Sequence, residues 1–225
     1  MIQSKPCRAT AKESAKIWNR KDIRDYLAQN KQFFENLTKV TGSEINDIFS
    51  ASDLYGTLVI EISHDYFWNK VWTKEEELNI VKKLSPVMDL KYKNMWDSPI
   101  IQRLRAGGLV RELNNNMKKV IDNTNQKKMY VYSTHDSQVA LLMEALNIFN
   151  YRQPPFGTAL YLELHENAHG YFVRAYYHNE TEINSVTPHP ILWGDCSGLK
   201  DCPINEYFNS TQHLLYTDFD KECNQ

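Results

Sequence analysis

The sequence predicts an α/β fold in which a helical region precedes a mixed region of strands and helices. Apolar residues recur at helical spacing through the first 128 residues, whereas short apolar, aromatic-rich runs typical of strands begin at Met129. Of the 225 residues, 42% are hydrophobic, which is enough for a sizeable core in one or two domains. We therefore expect two regions, residues 8–128 and residues 129–225.

Helices are predicted through most of the first region. Apolar side chains follow helical spacing within residues 23–37, 44–62, 78–84 and 109–120. Gly42 is a plausible C-terminal stop for the first of these runs. Thr73 and Glu76 have the spacing of a capping box at the start of the third run, and Pro86 predicts an interruption or kink after it.

Strands are predicted in the second region. Met129–Ser133 is typical of a buried strand, and a helix containing Val139 and Leu146 follows it. Thr158–Leu164 and Tyr171–Tyr177 resemble two strands joined by a polar turn. A short helix is expected from about Ile204 to Leu215.

The charge balance and the hydropathy pattern argue against two classes of protein. With 26 basic against 28 acidic side chains, the chain has no large basic excess of the kind on which nucleic-acid binders rely. No apolar run approaches the roughly 18 residues that a membrane-spanning helix needs, and the candidate run Leu58–Ile60 ends at Glu61. We therefore expect neither a nucleic-acid partner nor a membrane span.

His135 and Asp136 are the candidate catalytic residues, because they follow the predicted strand and begin the next helix. In open α/β sheets, ligands bind beyond the carboxyl end of a strand. The free N–H groups of a helix N-terminus suit an anion such as phosphate. There His135 can donate to phosphate oxygens, and Asp136 can deliver a proton to a leaving group. The structural alternative is that Asp136 caps the helix and His135 is a buried histidine.

Two further histidine patterns are interpreted as structural. His64 and Asp65 follow a helical pattern, so we expect a helix end there. The run from His165 to His169 matches the zinc-protease pattern H-E-x-x-H, but that chemistry requires both histidines one helical turn apart. Because the flanking residues alternate as strands, the run falls in a hairpin turn, and we expect no metal or other cofactor.

The cysteines and the glycosylation sequons favour an oxidising compartment. The four cysteines are Cys7, Cys196, Cys202 and Cys223, and they allow three pairings. We prefer a local Cys196–Cys202 bridge and a Cys7–Cys223 bridge between the two ends, and the long bridge can contribute about 4–5 kcal/mol. The sequons begin at Asn36, Asn179 and Asn209. The chain nevertheless opens without the hydrophobic region of a signal peptide, which suggests that the natural N-terminus is missing.

Several segments, in this order, resemble the C-terminal two-thirds of the histidine acid phosphatases, especially the prostatic, lysosomal and insect-venom type. These segments are Arg103–Val110, Met129–Asp136, Tyr171–Tyr177, Asn179–Thr181 and Gly194–Pro203. The resemblance runs from roughly Cys7 to Cys223 and keeps order and spacing, so it is more specific than any single motif.

The resemblance implies a phosphoglycerate-mutase-like sheet, incomplete here, with a helical cap in residues 8–128 and the C-terminal part of the core in residues 129–225. It implies hydrolysis of phosphate monoesters, as small molecules or phosphoproteins, through a phosphohistidine at acid pH. His135 would then bind phosphate, and Asp136 would protonate the leaving alcohol and help activate water. It also implies a secreted or lysosomal protein and allows a homodimer.

The sequence departs from the family pattern at the nucleophile. No histidine follows an arginine, so the motif Arg-His-Gly-x-Arg-x-Pro is absent, and the family's first strand would be missing with it. We therefore expect the chain alone to be inactive or very weak, and Met129–Tyr132 to expose apolar surface. The alternative is a secreted non-enzymatic scaffold, a binding protein or a venom component derived from an acid phosphatase.

Overall fold

The computed structural model describes residues 5–66, 72–124, 127–181 and 187–225. The helices are α1 (Arg8–Trp18), α2 (Lys21–Gln29), α3 (Lys31–Thr41), α4 (Ile48–Ser63), α5 (Lys74–Asn94), α6 (Pro99–Ile121), α7 (Asp136–Ala145), α8 (Ile204–Thr211) and α9 (Phe219–Cys223). The strands are β1 (Ala159–Asn167), β2 (Gly170–His178), β3 (His189–Ile191) and β4 (Cys202–Pro203). The predicted mixture of helix and sheet is confirmed.

The chain divides into two compact units. One consists of Met1–Glu13 with Trp96–Gln225, and the other is Ser14–Met95. This division differs from the predicted regions 8–128 and 129–225, because α6 packs against α7 in the unit that contains the sheet.

The unit Ser14–Met95 is helical, and its helix ends follow the local sequence. Gly42 ends α3 in the left-handed conformation, with φ of 72°, as its lack of a Cβ allows. Thr73 and Glu76 form the predicted capping box at the start of α5. α5 then continues through Pro86, so the predicted interruption does not occur. The most deeply buried side chains of this unit include Ile23, Ile48, Leu58, Leu84 and Val87.

Helix α6 is the long helix of the other unit. Ser98 caps its N-terminus and Pro99 occupies the first turn, where a missing N–H costs nothing. A Cβ on Gly107 would collide with the carbonyl oxygen of Leu214, so only glycine permits this close approach. Leu214 itself is fully buried and packs with Val110 and Leu141.

The sheet is antiparallel, with β2 at its centre. β1 and β2 form the predicted hairpin, in which Ala159 pairs with His178 and Asn167 pairs with Gly170. The other edge of β2 pairs with both β3 and β4. β2 is therefore the strand whose backbone groups have hydrogen-bonding neighbours on both edges.

The core beside the sheet is rich in aromatic side chains. Val173, Trp193 and Tyr207 are each at most 2% exposed, and the rings of Trp193 and Tyr207 meet edge to face at 5.6 Å. Tyr207 lies in α8, which together with a 3₁₀ turn at Gln212–Leu214 accounts for the helix predicted from about Ile204. Within the described ranges, no helix is both long enough and apolar enough to cross a membrane.

Candidate active site

Residues 127–135 lead into α7 and end at His135, the first residue of the candidate pair His135–Asp136. They form no strand, so the strand predicted at Met129–Ser133 is wrong. A strand needs a neighbouring strand to satisfy its N–H and C=O groups, and the sheet strands β1–β4 pair with one another instead. Met129 and Val131 are accordingly 76% and 78% exposed, so the expected apolar surface is present.

Tyr132 attaches this segment to α6. Its hydroxyl donates to Glu112 Oε1 at 3.0 Å and accepts from Asn116 Nδ2 at 3.1 Å. Partial burial of the ring is the first cause, and the hydrogen bond to the Glu112 carboxylate is the second; together they raise the pKa of Tyr132 to about 12. The tyrosine therefore remains a hydrogen-bond donor throughout the physiological pH range and holds the segment three residues before His135.

His135 occupies the N-cap position of α7. Its carbonyl oxygen accepts the backbone N–H groups of Gln138 and Val139 at 3.0 and 3.2 Å, which starts the helix. Its side chain is exposed and makes no capping hydrogen bond. The predicted helix start after His135 is confirmed. An exposed imidazole beside the positive end of a helix is suited to binding an anion.

Asp136 is the first residue of α7 and is half-buried. Its Oδ1 accepts the backbone N–H of Ser137 at 2.6 Å, and its Oδ2 accepts the side-chain amide of Gln153 at 3.3 Å. Gln153 lies in the loop between α7 and β1, and the sequence holds no motif that connects it with Asp136. Gln153 is a neighbour of the candidate pair that sequence reasoning missed.

The arginines of α6 make contacts with other segments of the same unit. Arg103 binds Glu222 through Nε and Nη2 at 2.7 and 3.1 Å, and this bond lowers the pKa of the Glu222 carboxyl. Arg105 donates to the Lys5 carbonyl oxygen and to the Thr10 hydroxyl. Arg111 donates to the carbonyl oxygen of Tyr216, and its guanidinium lies 4.7 Å from that ring. These contacts of the three side chains therefore stabilise the fold.

A pair of acidic side chains, Glu144 and Asp97, lies at the other end of α7. Burial raises the pKa of Glu144 to about 7, and the nearby Asp97 carboxylate adds to the shift. The same two acids raise the pKa of Tyr151. Sequence reasoning missed this group, because Asp97 and Glu144 are far apart in the chain and share no motif.

The two structurally interpreted histidine patterns lie where they were expected. α4 ends at Ser63, and His64 is its C-cap residue. The zinc-protease-like run forms the end of β1 and the hairpin turn, so its histidines do not lie on a helix. His165 Nε2 contacts Glu163 Oε2 at 2.8 Å, and its ring stacks on Phe172. Among the described residues, no three histidine, cysteine, aspartate or glutamate side chains are grouped as metal ligands.

Both preferred disulfide pairings are present, Cys7–Cys223 and Cys196–Cys202. The first joins two segments of the same unit that are 216 residues apart in sequence. The three sequon asparagines, Asn36, Asn179 and Asn209, are exposed. Their accessibility is compatible with glycosylation, which stays a prediction.

Comparisons with known proteins agree on one family. The family model described as "Histidine phosphatase superfamily (branch 2)" matches residues 8–178. Prostatic acid phosphatase of Rattus norvegicus is 30% identical over 198 residues, which are 88% of this chain and 50% of that protein. Human prostatic acid phosphatase is 30% identical over 194 residues, or 86% and 49% of the two chains. Lysosomal acid phosphatase of Xenopus laevis is 27% identical over 220 residues, or 97% and 50%. The chain spans about half the length of these curated relatives.

Proposed function

The chain belongs to branch 2 of the histidine phosphatase superfamily, and from this premise we propose that it carries part of the site of an acid phosphatase. The proposed reaction is hydrolysis of phosphate monoesters, either small molecules or phosphoproteins. The observation that supports this proposal most is the His135–Asp136 pair at the N-terminus of α7, within the matched residues 8–178. The names of the relatives, prostatic and lysosomal acid phosphatase, agree with it.

The two residues have separate roles in this proposal. His135 is exposed at the positive end of α7 and binds the phosphoryl oxygens. In the family's reaction, the phosphoryl group passes from the ester oxygen to the histidine of the Arg-His-Gly-x-Arg-x-Pro motif, so that a P–N bond forms as the P–O bond breaks. Asp136 would give its proton to the ester oxygen of the leaving alcohol in this step, and it would later take a proton from the water that attacks phosphorus and breaks the P–N bond. We propose that Asp136, which directly follows His135, lies close enough to the bound phosphoryl group to act as its proton donor.

The 225-residue chain alone is proposed to turn over substrate very slowly or not at all. The family's nucleophile lies in an Arg-His-Gly-x-Arg-x-Pro motif, and no histidine of this sequence follows an arginine. Without a nucleophile, direct attack by water replaces the two easier displacements of covalent catalysis. A secreted or lysosomal location and a homodimer remain proposals.

The proposal is tested with the purified chain, its disulfides formed, and p-nitrophenyl phosphate at about pH 5. The same samples are titrated with inorganic phosphate while the histidine ring resonances are observed by NMR. The variants are His135→Ala and Asp136→Asn. The matched controls are His64→Ala and Asp65→Asn, because His64 and Asp65 form the same dipeptide at the end of α4.

We expect phosphate to perturb the His135 resonances but not those of His64, with little or no hydrolysis. Hydrolysis that disappears in His135→Ala and Asp136→Asn alone would support the site and contradict the proposed inactivity. A folded chain in which phosphate leaves His135 unperturbed would contradict the site. In that case the non-enzymatic alternative, a binding or venom protein, would be favoured.

A further inference from the structure

We propose that Gln153 is a positioning residue that holds the Asp136 side chain in one orientation in both of its protonation states. This inference rests on the proposed function, in which Asp136 first gives and then takes a proton. Gln153 itself need not touch the substrate. It acts through its side-chain amide, which lies 3.3 Å from Asp136 Oδ2.

The two oxygens of Asp136 have different partners. Oδ1 accepts the backbone N–H of Ser137 at 2.6 Å, a short bond within the same helix. Oδ2 accepts a longer bond from the neutral side-chain amide of Gln153. Gln153 thus joins the carboxyl group to a loop outside α7, whereas the bond from Ser137 joins it only to its own helix. A contact from a separate segment can fix the orientation of the carboxyl group.

An amide is chemically suited to this position. Its NH₂ group donates to a carboxylate, and after a half-turn of the amide its carbonyl oxygen accepts from a carboxylic acid O–H. A lysine or arginine would favour only the ionised form, and an aliphatic side chain would offer no hydrogen bond. Glutamine can therefore keep a hydrogen bond with Asp136 after the proton has passed to the leaving-group oxygen and again after another proton has arrived from water.

The loop that carries Gln153 is held on both sides of this residue. Tyr151 adopts φ of 59°, which is uncommon for a bulky residue, and its ring packs 5.6 Å from Phe149. The backbone N–H of Arg152 donates to Asn150 Oδ1 at 3.1 Å. The buried Pro154 restricts the backbone of Gln153 to extended conformations. A strained conformation persists only where its surroundings determine it, so the loop can present Gln153 in a fixed position.

The contact is tested by NMR on the 225-residue chain, which needs no turnover. The Gln153 side-chain amide resonances are assigned by their loss in Gln153→Leu. We expect these resonances to shift over the pH range in which the Asp136 carboxyl carbon titrates, and this shift to be lost in Asp136→Asn. Gln102 is the internal control, because its amide donates to the Trp96 carbonyl oxygen at 2.9 Å and should not follow Asp136. A Gln153 response that persists in a folded Asp136→Asn variant would overturn the proposal.

The positioning role is tested by the Hα–Hβ couplings of Asp136, which report its side-chain rotamer. We expect a single rotamer in the wild-type chain below and above the carboxyl titration, and averaged couplings in Gln153→Leu. Gln102→Leu should leave the couplings unchanged. A single Asp136 rotamer in a folded Gln153→Leu chain would overturn the role. If instead phosphate leaves His135 unperturbed while the Gln153 response persists, the proposed function has failed and the catalytic purpose of the contact falls with it.

Discussion

Strand β2 and the segment 127–135 have similar strand-like patterns of apolar and aromatic residues, but they have different structures. Both contain valine and tyrosine residues in short apolar runs, and both predict strands. β2 pairs with β1 on one edge and with β3 and β4 on the other, whereas residues 127–135 form no strand. Val173 in β2 is fully buried, but Val131 in the segment is 78% exposed.

The difference shows what a strand-like sequence specifies and what it omits. Branched and aromatic side chains favour a pleated, half-buried surface, but the backbone groups still need a hydrogen-bonding neighbour. The hairpin turn at Asn167–Gly170 brings β1 beside β2, so the partner is supplied locally. The segment 127–135 is attached to α6 through Tyr132 instead. His135 therefore lies at the end of a segment that forms no strand with the described part of the chain, rather than at the end of a sheet strand.

The largest expected effect comes from the aromatic core beside β2. Tyr207→Ala should lower the free energy of unfolding by about 3–5 kcal/mol, because the side chain is fully buried against Trp193 and leaves a large cavity. Met129→Ala should change it by no more than about 0.5 kcal/mol, since Met129 is 76% exposed. Denaturant unfolding of both variants measures this difference, and a large effect of Met129→Ala would break the comparison.

The same substitution in both regions compares them directly. Val173→Ala should cost about 2 kcal/mol, because two buried methyl groups are removed from the core. Val131→Ala should be within about 0.5 kcal/mol of the wild type. Thermal and denaturant unfolding provide the measurement. Equal losses at the two positions would mean that Val131 is buried in solution.

The pH dependence of stability tests helix α7, which follows the segment 127–135. The pKa of Glu144 is raised from 4.5 to about 7, so its stabilising contribution is complete below pH 4.5 and is lost as the pH rises to about 7. The loss should amount to about 1–2 kcal/mol after allowance for solvent screening. Glu144→Gln should remove this dependence and stabilise the chain at pH 8. Unfolding of Glu144→Gln and of the exposed control Glu206→Gln at several pH values checks this, and parallel profiles for wild type and Glu144→Gln would contradict it.

The smallest effect is expected from the attachment of the segment to α6. Tyr132→Phe removes the hydrogen bonds with Glu112 and Asn116, each worth about 1 kcal/mol. Limited proteolysis should then cut within residues 127–135 more readily, while the global unfolding transition moves little. Tyr161→Phe is the control, because Tyr161 lies exposed on β1. Cleavage rates that match those of Tyr161→Phe would argue against the attachment.

Local sequence signals predicted much of the fold. The capping box of Thr73 and Glu76, the glycine at the end of α3 and the alternation of β1 and β2 act over a few residues, and each is confirmed. The strand at Met129–Ser133 was wrongly predicted, because the side chains of a segment do not determine whether a neighbouring strand is present to pair with it. The helix interruption predicted at Pro86 does not occur either, since α5 continues through this residue.

The candidate site could be predicted only in part. His135 and Asp136 are adjacent and begin a helix, so local sequence reveals them. Gln153 contacts Asp136 from a loop in which Tyr151 has a positive φ. Such a φ is usually indicated in a sequence by a glycine, and this position has none. Glu144 and Asp97 come together through packing of separate segments. Contacts of this kind depend on tertiary structure and leave no pattern in the sequence.

Amide hydrogen exchange, read residue by residue, tests the contrast between β2 and the segment most directly. The amides of β2 that pair with β1, β3 and β4 should be protected close to the level set by global unfolding. Those of residues 129–133 should exchange at nearly the rate of an unstructured peptide. Strong protection at Val131 and Ser133, comparable with that of Val173, would show that the segment is a paired strand and would contradict the account.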